Sequence, residues 1–220
     1  MLNNFYQALL FFHISTAIFT LVLFWGAVFT KKGAKPHKLC GKYFCLLMTT
    51  CVASSSMMSI LTIFFSEVIH EKIFMNKDIT NILFLNFLGV LSLTCCLNGW
   101  NAIRNNLRFL RKPINGILFL MSTLCFFYGI KHKIIVMMAL SLVGISISFI
   151  SFRHEKREIR YHIENMIGAG IGIHTALLVG GGSKVLPSFL TNLGWYSWVL
   201  PSVIGVVASK LITKKINKNN

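Results

Sequence analysis

The sequence predicts an all-α fold: a polytopic integral membrane bundle of seven transmembrane helices, N-terminus outside and C-terminus cytoplasmic. Three observations predict it. First, 55% of the 220 residues are hydrophobic and only 13% are charged, about half the charged share of an ordinary soluble domain. Second, a mean hydropathy of +0.67 argues against both a water-soluble globule and a disordered chain. Third, the charges are segregated and cut the chain into pieces of hydrocarbon length.

A helix needs roughly 20 mostly apolar residues to cross the hydrocarbon core. Six stretches contain no charged residue: Gln7–Thr30, Tyr43–Phe65, Ile79–Trp100, Pro113–Ile130, Ile134–Phe152 and Asn165–Ser183. A seventh runs from about Leu193 to Ile212, with Lys210 near its end, where a long side chain snorkels to the headgroups. All six acids, Glu67, Glu71, Asp78, Glu155, Glu158 and Glu164, fall between these spans. The first span lacks a basic n-region and a small-residue cleavage site and is too long for an h-region, so it is expected to persist as the first helix rather than be cleaved as a signal peptide. The connecting segments, of about a dozen residues at most, are too short to build a core of their own. One transmembrane domain covering residues 1–220 is therefore expected.

The net charge of +16 raises the question of nucleic acid, and the placement of the cations answers it. Alternate connections carry Lys31, Lys32, Lys35, Lys38 and Lys42; Arg104, Arg108, Arg111 and Lys112; Arg153, Lys156, Arg157 and Arg160; and Lys210, Lys214, Lys215 and Lys218. The other face holds only Lys72, Lys77, Lys131, Lys133 and Lys184. Because Lys and Arg are retained on the cytoplasmic side, 17 against 5 predicts the orientation given above and a cytoplasmic (inner) membrane location. Charge spread in this way over short segments is a topology signal, and no nucleic-acid partner is expected.

Six cysteines, Cys40, Cys45, Cys51, Cys95, Cys96 and Cys125, match no zinc or iron–sulfur spacing. They read as small hydrophobes in helix walls, with the vicinal pair Cys95–Cys96 in the cytoplasmic half of helix 3.

Among acidic and basic residues, only histidine lies at membrane depth. With no carboxylate in the spans, a carboxylate proton relay, a retinal pigment with its counter-ion and a His/Asp/Glu metallohydrolase all lack parts. His13 in helix 1 and His174 in helix 6 lie about 9 Å and about 14 Å in from the outer helix ends, a difference of about one turn. Imidazoles on two helices at matched depth are what six-coordinate b-type haem requires, and Ala17 and Gly170 would leave room for a porphyrin face. The competing reading is a histidine hydrogen-bonded to a neighbouring helix, with no ligand. At the cytoplasmic face, His37, His154 and His162 form a second candidate group for a headgroup, metal or quinone head, against simple interfacial anchoring.

Gly168 and Gly172, continued by Ala176 and Gly180, form a small-residue ridge that predicts a central, closely packed helix 6. The Gly180-Gly181-Gly182 run loosens its end; no strand precedes it, so it is not a phosphate loop. Pro201, with Gly205 beyond it, predicts a kink in helix 7, whose outer end carries the aromatic belt of Trp195, Tyr196 and Trp198. Ser54, Ser55, Ser56 and Ser59 in helix 2 and Asn81, Asn86 and Asn98 in helix 3 are candidates for interhelical hydrogen bonds or for a polar path.

Three pieces carry a resemblance to a known family: His13 with Lys32-Gly33-x-x-x-His37-Lys38-x-x-Gly41-Lys42-x-Phe44; Gly99-Trp100-x-Ala102-Ile103-Arg104; and His162-x-x-x-Met166-Ile167-Gly168-Ala169 running on to Thr175-Ala176-Leu177-Leu178-Val179 and Leu200-Pro201-Ser202-x-Ile204-Gly205. The chain resembles the bacterial membrane proteins grouped as domain of unknown function 2306. That resemblance implies a polytopic membrane protein with no assigned activity, and singles out His13, His37 and His162 as pattern positions. Two function classes are expected: a b-type haem protein using His13 and His174 to exchange electrons with a quinone or another redox partner, or a non-enzymatic transporter, channel-like or assembly protein with a polar path along helices 2 and 3.

Overall fold

A computed structural model describes residues 2–65, 79–104, 107–153, 158–181 and 196–218, and every regular element within them is helical. The helices are α1 (Leu2–Phe29), α2 (Lys35–Phe64), α3 (Ile79–Arg104), α4 (Arg108–His132), α5 (Ile135–Arg153), α6 (Ile159–Ala176, continued by a π-helical turn over Leu177–Gly181) and α7 (Tyr196–Lys218). All seven are long and apolar enough to cross a membrane. Large apolar side chains face outward, among them Phe11 at 75% exposure and Phe29 at 79%. Water would penalise such a surface, whereas lipid is its natural solvent. The chain is a multi-pass membrane protein.

Several helices extend beyond their charge-free cores. Helix α2 begins at Lys35, so Lys35, His37, Lys38 and Lys42 stand on helix rather than in a connection, and Arg160, His162 and Glu164 lie in the first turns of α6. The reason is dimensional. The 30 residues of α2 extend about 45 Å, close to the roughly 40–45 Å of a bilayer including its headgroups. Charged ends therefore stay helical in the polar layers. His154, Gly182 and Trp195 lie outside the described residues; Tyr196 and Trp198 open α7.

The chain divides into two compact units, Met1–Gly89 and Val90–Asn220, with the residues of α3 shared between them. In the first unit, α1 and α2 pair antiparallel. Tyr6 and Leu10 pack with Met58 and Leu61 at one end of the pair, and Gly26 lies against Cys40 at the other. The turn between them uses Gly33 at φ +78°, a conformation that a Cβ would strain. On either side of it, side chains cap the C-terminal carbonyls of α1. Thr30 Oγ1 donates to Gly26 O at 2.8 Å, Lys32 Nζ to Ala27 O and Val28 O at 2.9 and 2.5 Å, and His37 Nδ1 to Ala27 O at 2.9 Å. Cations suit this negative end of the helix dipole, and burial holds the Lys32 ammonium below the usual lysine range.

In the second unit, α4 and α5 form a hairpin whose seam has a 3.5-residue period. Asn115, Leu118, Ser122, Cys125 and Gly129 face Met137, Ser141, Gly144, Ser148 and Ser151, all of them buried. This is coiled-coil spacing with small residues at the contact. Helix α6 touches three others in this unit. A Cβ on Gly99 of α3 would come within 3.1–3.2 Å of Met166, Asn165 and the His162 carbonyl, and one on Gly168 would lie 3.3 Å from Cys95 Sγ. Gly205 of α7 lies against Ile171 and Ile167, and Tyr161 bonds α5. The close packing expected of the Gly168 ridge is thus present within the unit.

Gly99→Ala and Gly205→Ala should each cost about 1–3 kcal/mol through overpacking, seen as a lower Tm in detergent. Gly116→Ala, where a Cβ meets nothing within 4 Å, should stay within about 0.5 kcal/mol of the parent.

Candidate functional site

Each candidate histidine in the described residues has its ring fixed by a backbone carbonyl. In the first unit, His13 Nδ1 lies 3.1 Å from Cys51 O and 3.0 Å from Ser54 Oγ. The Ser54 hydroxyl donates its own proton to Cys51 O at 2.8 Å. A carbonyl only accepts, so Nδ1 carries the proton. Its N–H forks between the carbonyl and the hydroxyl oxygen, and the neutral imidazole keeps its lone pair on Nε2.

In the second unit, His174 Nδ1 donates to Gly170 O at 2.7 Å, one turn back on its own helix, and the α-to-π transition of α6 follows three residues after it, at Leu177. Here too Nε2 is the basic nitrogen. Gly170, expected to leave room for a porphyrin, is buried and supplies that carbonyl. His37 belongs to the first unit, as the cap on α1. His162 belongs to the second, where its Nδ1 donates to Gly99 O at 2.7 Å and ties the first turn of α6 to α3. The histidine bonded to a neighbouring helix is thus what His13, His37 and His162 display, and the same bond sets the tautomer of each.

The serines and asparagines of α2 and α3 divide into two kinds. Ser54 bonds His13, and Ser56 Oγ donates to Asn86 Oδ1 at 3.0 Å, joining helices. Ser55 and Ser59 instead return their protons to Val52 O and Ser55 O on their own helix, as hydroxyls do where water is absent.

The most extensive polar cluster lies in the second unit, and only Asn98 of it was marked by sequence reasoning. Asn98 Nδ2 donates to Asn115 Oδ1 at 3.0 Å and to Ser151 Oγ at 2.9 Å, while Asn115 Nδ2 returns a bond to Asn98 Oδ1 at 3.0 Å. Ser151 Oγ meets Tyr161 Oη at 2.6 Å, and Arg111 donates from Nε and Nη2 to the Ser151 carbonyl near the end of α5. Four helices are tied at one depth, and Asn98, Asn115 and Ser151 are at most 2% exposed. The signal that could have found it is the α4/α5 seam: Asn115 and Ser151 fall on its 3.5-residue period.

Among the described residues no group of three or more His, Cys, Asp or Glu side chains is placed to hold a metal ion. The described cysteines are all free thiols, and five of the six are buried, as small hydrophobes would be. Comparison with protein-family models, with curated proteins and with solved structures finds no match to this chain.

Asn98→Ala strands one amide of a reciprocal pair inside the unit and should cost about 1–2 kcal/mol. In a double-mutant cycle, Asn98→Ala with Asn115→Ala should cost less than the sum of the single changes; strict additivity of the melting shifts would show that the two amides do not couple.

Proposed function

We propose that this protein is an inner-membrane b-type haem protein, N-terminus outside and C-terminus cytoplasmic, in which His13 and His174 are the haem ligands. One observation supports the haem reading. Each of these histidines, in its own unit, donates Nδ1–H to a backbone carbonyl, the kind of outer-shell bond that orients a metal-ligating imidazole. Haem would supply one-electron chemistry, and a quinone is the proposed exchange partner. What supports the orientation is the distribution of 17 cations against 5. Kinship with the domain of unknown function 2306 is part of the proposal and rests on the motifs that carry the resemblance.

The alternative is a non-enzymatic transporter, channel-like or assembly protein using α2 and α3. What favours it is the run of hydroxyls and amides there, including the Ser56–Asn86 bond. Protein purified in detergent from haem-replete cells decides between the two. A Soret band with α and β bands on reduction, lost in His13→Ala or His174→Ala, supports haem. A colourless, folded preparation ends that reading and leaves the alternative.

Orientation is checked separately. In a Cys40→Ala background, with the five remaining cysteines buried, Lys133→Cys should react with an impermeant maleimide in intact cells and Lys35→Cys only after permeabilisation. Labelling of both from outside would overturn the assignment.

A further inference from the structure

We infer that the end of the second unit formed by the last turn of α3, the first turns of α4 and α6 and the last turn of α5 binds the headgroup phosphate of an anionic phospholipid. The inference rests on the membrane reading above and adds a specific ligand to it. The hydrogen bonds among Asn98, Asn115, Ser151 and Tyr161 place these four residues in one layer. Measured along the helices from that layer, Arg104 lies six residues past Asn98, about 9 Å; Lys112 three residues before Asn115, about 4.5 Å; and Arg153 two residues past Ser151, about 3 Å. Arg160 adjoins Tyr161. Consecutive helices run in opposite directions here, so all four cations leave the layer toward the same end.

Arg160 pairs with Glu164 at 2.7 Å. Arg104, Lys112 and Arg153 are exposed and unpaired with any described acid. Two of them are folded over rings of their own helices, Arg104 over Trp100 at 5.6 Å and Arg153 over Phe149 at 4.3 Å. These contacts hold the guanidinium groups beside the apolar surface instead of in open water. Outward-facing Ile103, Phe109, Phe152 and Ile159 border the cations, so the positive charge sits where acyl chains give way to headgroups. A phosphate diester there meets charge and hydrogen-bond donors on one side and leaves its chains on lipid-facing helix. Basic pockets between transmembrane helices recognise anionic headgroups in this way.

The test is native mass spectrometry of the full chain in dodecyl maltoside, titrated with dioleoylphosphatidylglycerol, with dioleoylphosphatidylcholine and with inorganic phosphate. The anionic lipid should bind at least about tenfold tighter than the zwitterionic one, with each cation removed costing about fivefold. Combined Arg104→Gln, Lys112→Gln and Arg153→Gln should abolish the preference. Lys131→Gln with Lys133→Gln, at the opposite end of the α4/α5 hairpin, should keep it. If the triple variant does not fold, Lys112→Gln alone, an exposed change, should still lose about fivefold. Equal binding of the two lipids, an unchanged preference in the folded variants, or phosphate binding as tightly as the lipid would each overturn the inference. A reversed orientation would instead show in the maleimide experiment, and an absent haem in the visible spectrum, so neither failure is mistaken for this one.

Discussion

Hydrocarbon offers no hydrogen bonds, and that one constraint organises the molecule. Every backbone polar group held at depth must find its partner inside the protein. The helices satisfy their backbones, and most hydroxyl side chains do likewise: Thr16, Thr20, Thr49, Thr62, Thr94, Ser148 and Thr175 each return a proton to a carbonyl three or four residues back, whereas Ser122 and Ser141, on the α4/α5 seam, are buried with no hydrogen-bond partner. A chain with 55% hydrophobic residues can thus carry many serines and threonines without presenting a polar face to lipid.

Once the backbones are satisfied, what distinguishes one helix pairing from another is shape and the few side chains that reach across. Lipid is as apolar as leucine, so burying leucine gains little between helices. Close approach gains more. Glycine supplies it where Gly26 meets Cys40, where Gly99 meets the first turns of α6, and where Gly205 meets Ile171. The cross-helix bonds then select the register: His13 to Ser54 and Ser56 to Asn86 in the first unit, the Asn98–Asn115–Ser151–Tyr161 cluster in the second. A one-residue slip on either side would bury an unpaired amide or imidazole, which costs more than the bond itself contributes.

The helix ends answer to a different solvent. Lys32 and His37 close the last carbonyls of α1, and Arg111 reaches the Ser151 carbonyl near the end of α5. The cations that read as a topology signal in the sequence are, in part, helix caps. Both roles follow from charge being stable in the headgroup layer and unstable beneath it.

Composition and charge spacing alone determined the all-helical class, the seven spans and, to within one or two turns, their limits, because expulsion of ionised side chains from lipid acts on each segment independently of its neighbours. The limits erred short at Lys35 and Ile159, where charge inside a helix is tolerated at the interface. The histidines at depth could also be picked out, since they are the only basic side chains in the charge-free spans. Their partners could not. That Cys51 and Ser54 face His13, that Gly99 lies under His162, and that Asn115, Ser151, Tyr161 and Arg111 close on Asn98 depend on which helix faces meet and at what register. Those choices are made by contacts between residues up to 63 positions apart, and local pattern marks only Asn115 and Ser151, through the 3.5-residue period of the α4/α5 seam. Tertiary packing decided them, because only there does a carbonyl become the partner that assigns a proton to one ring nitrogen and leaves the other basic.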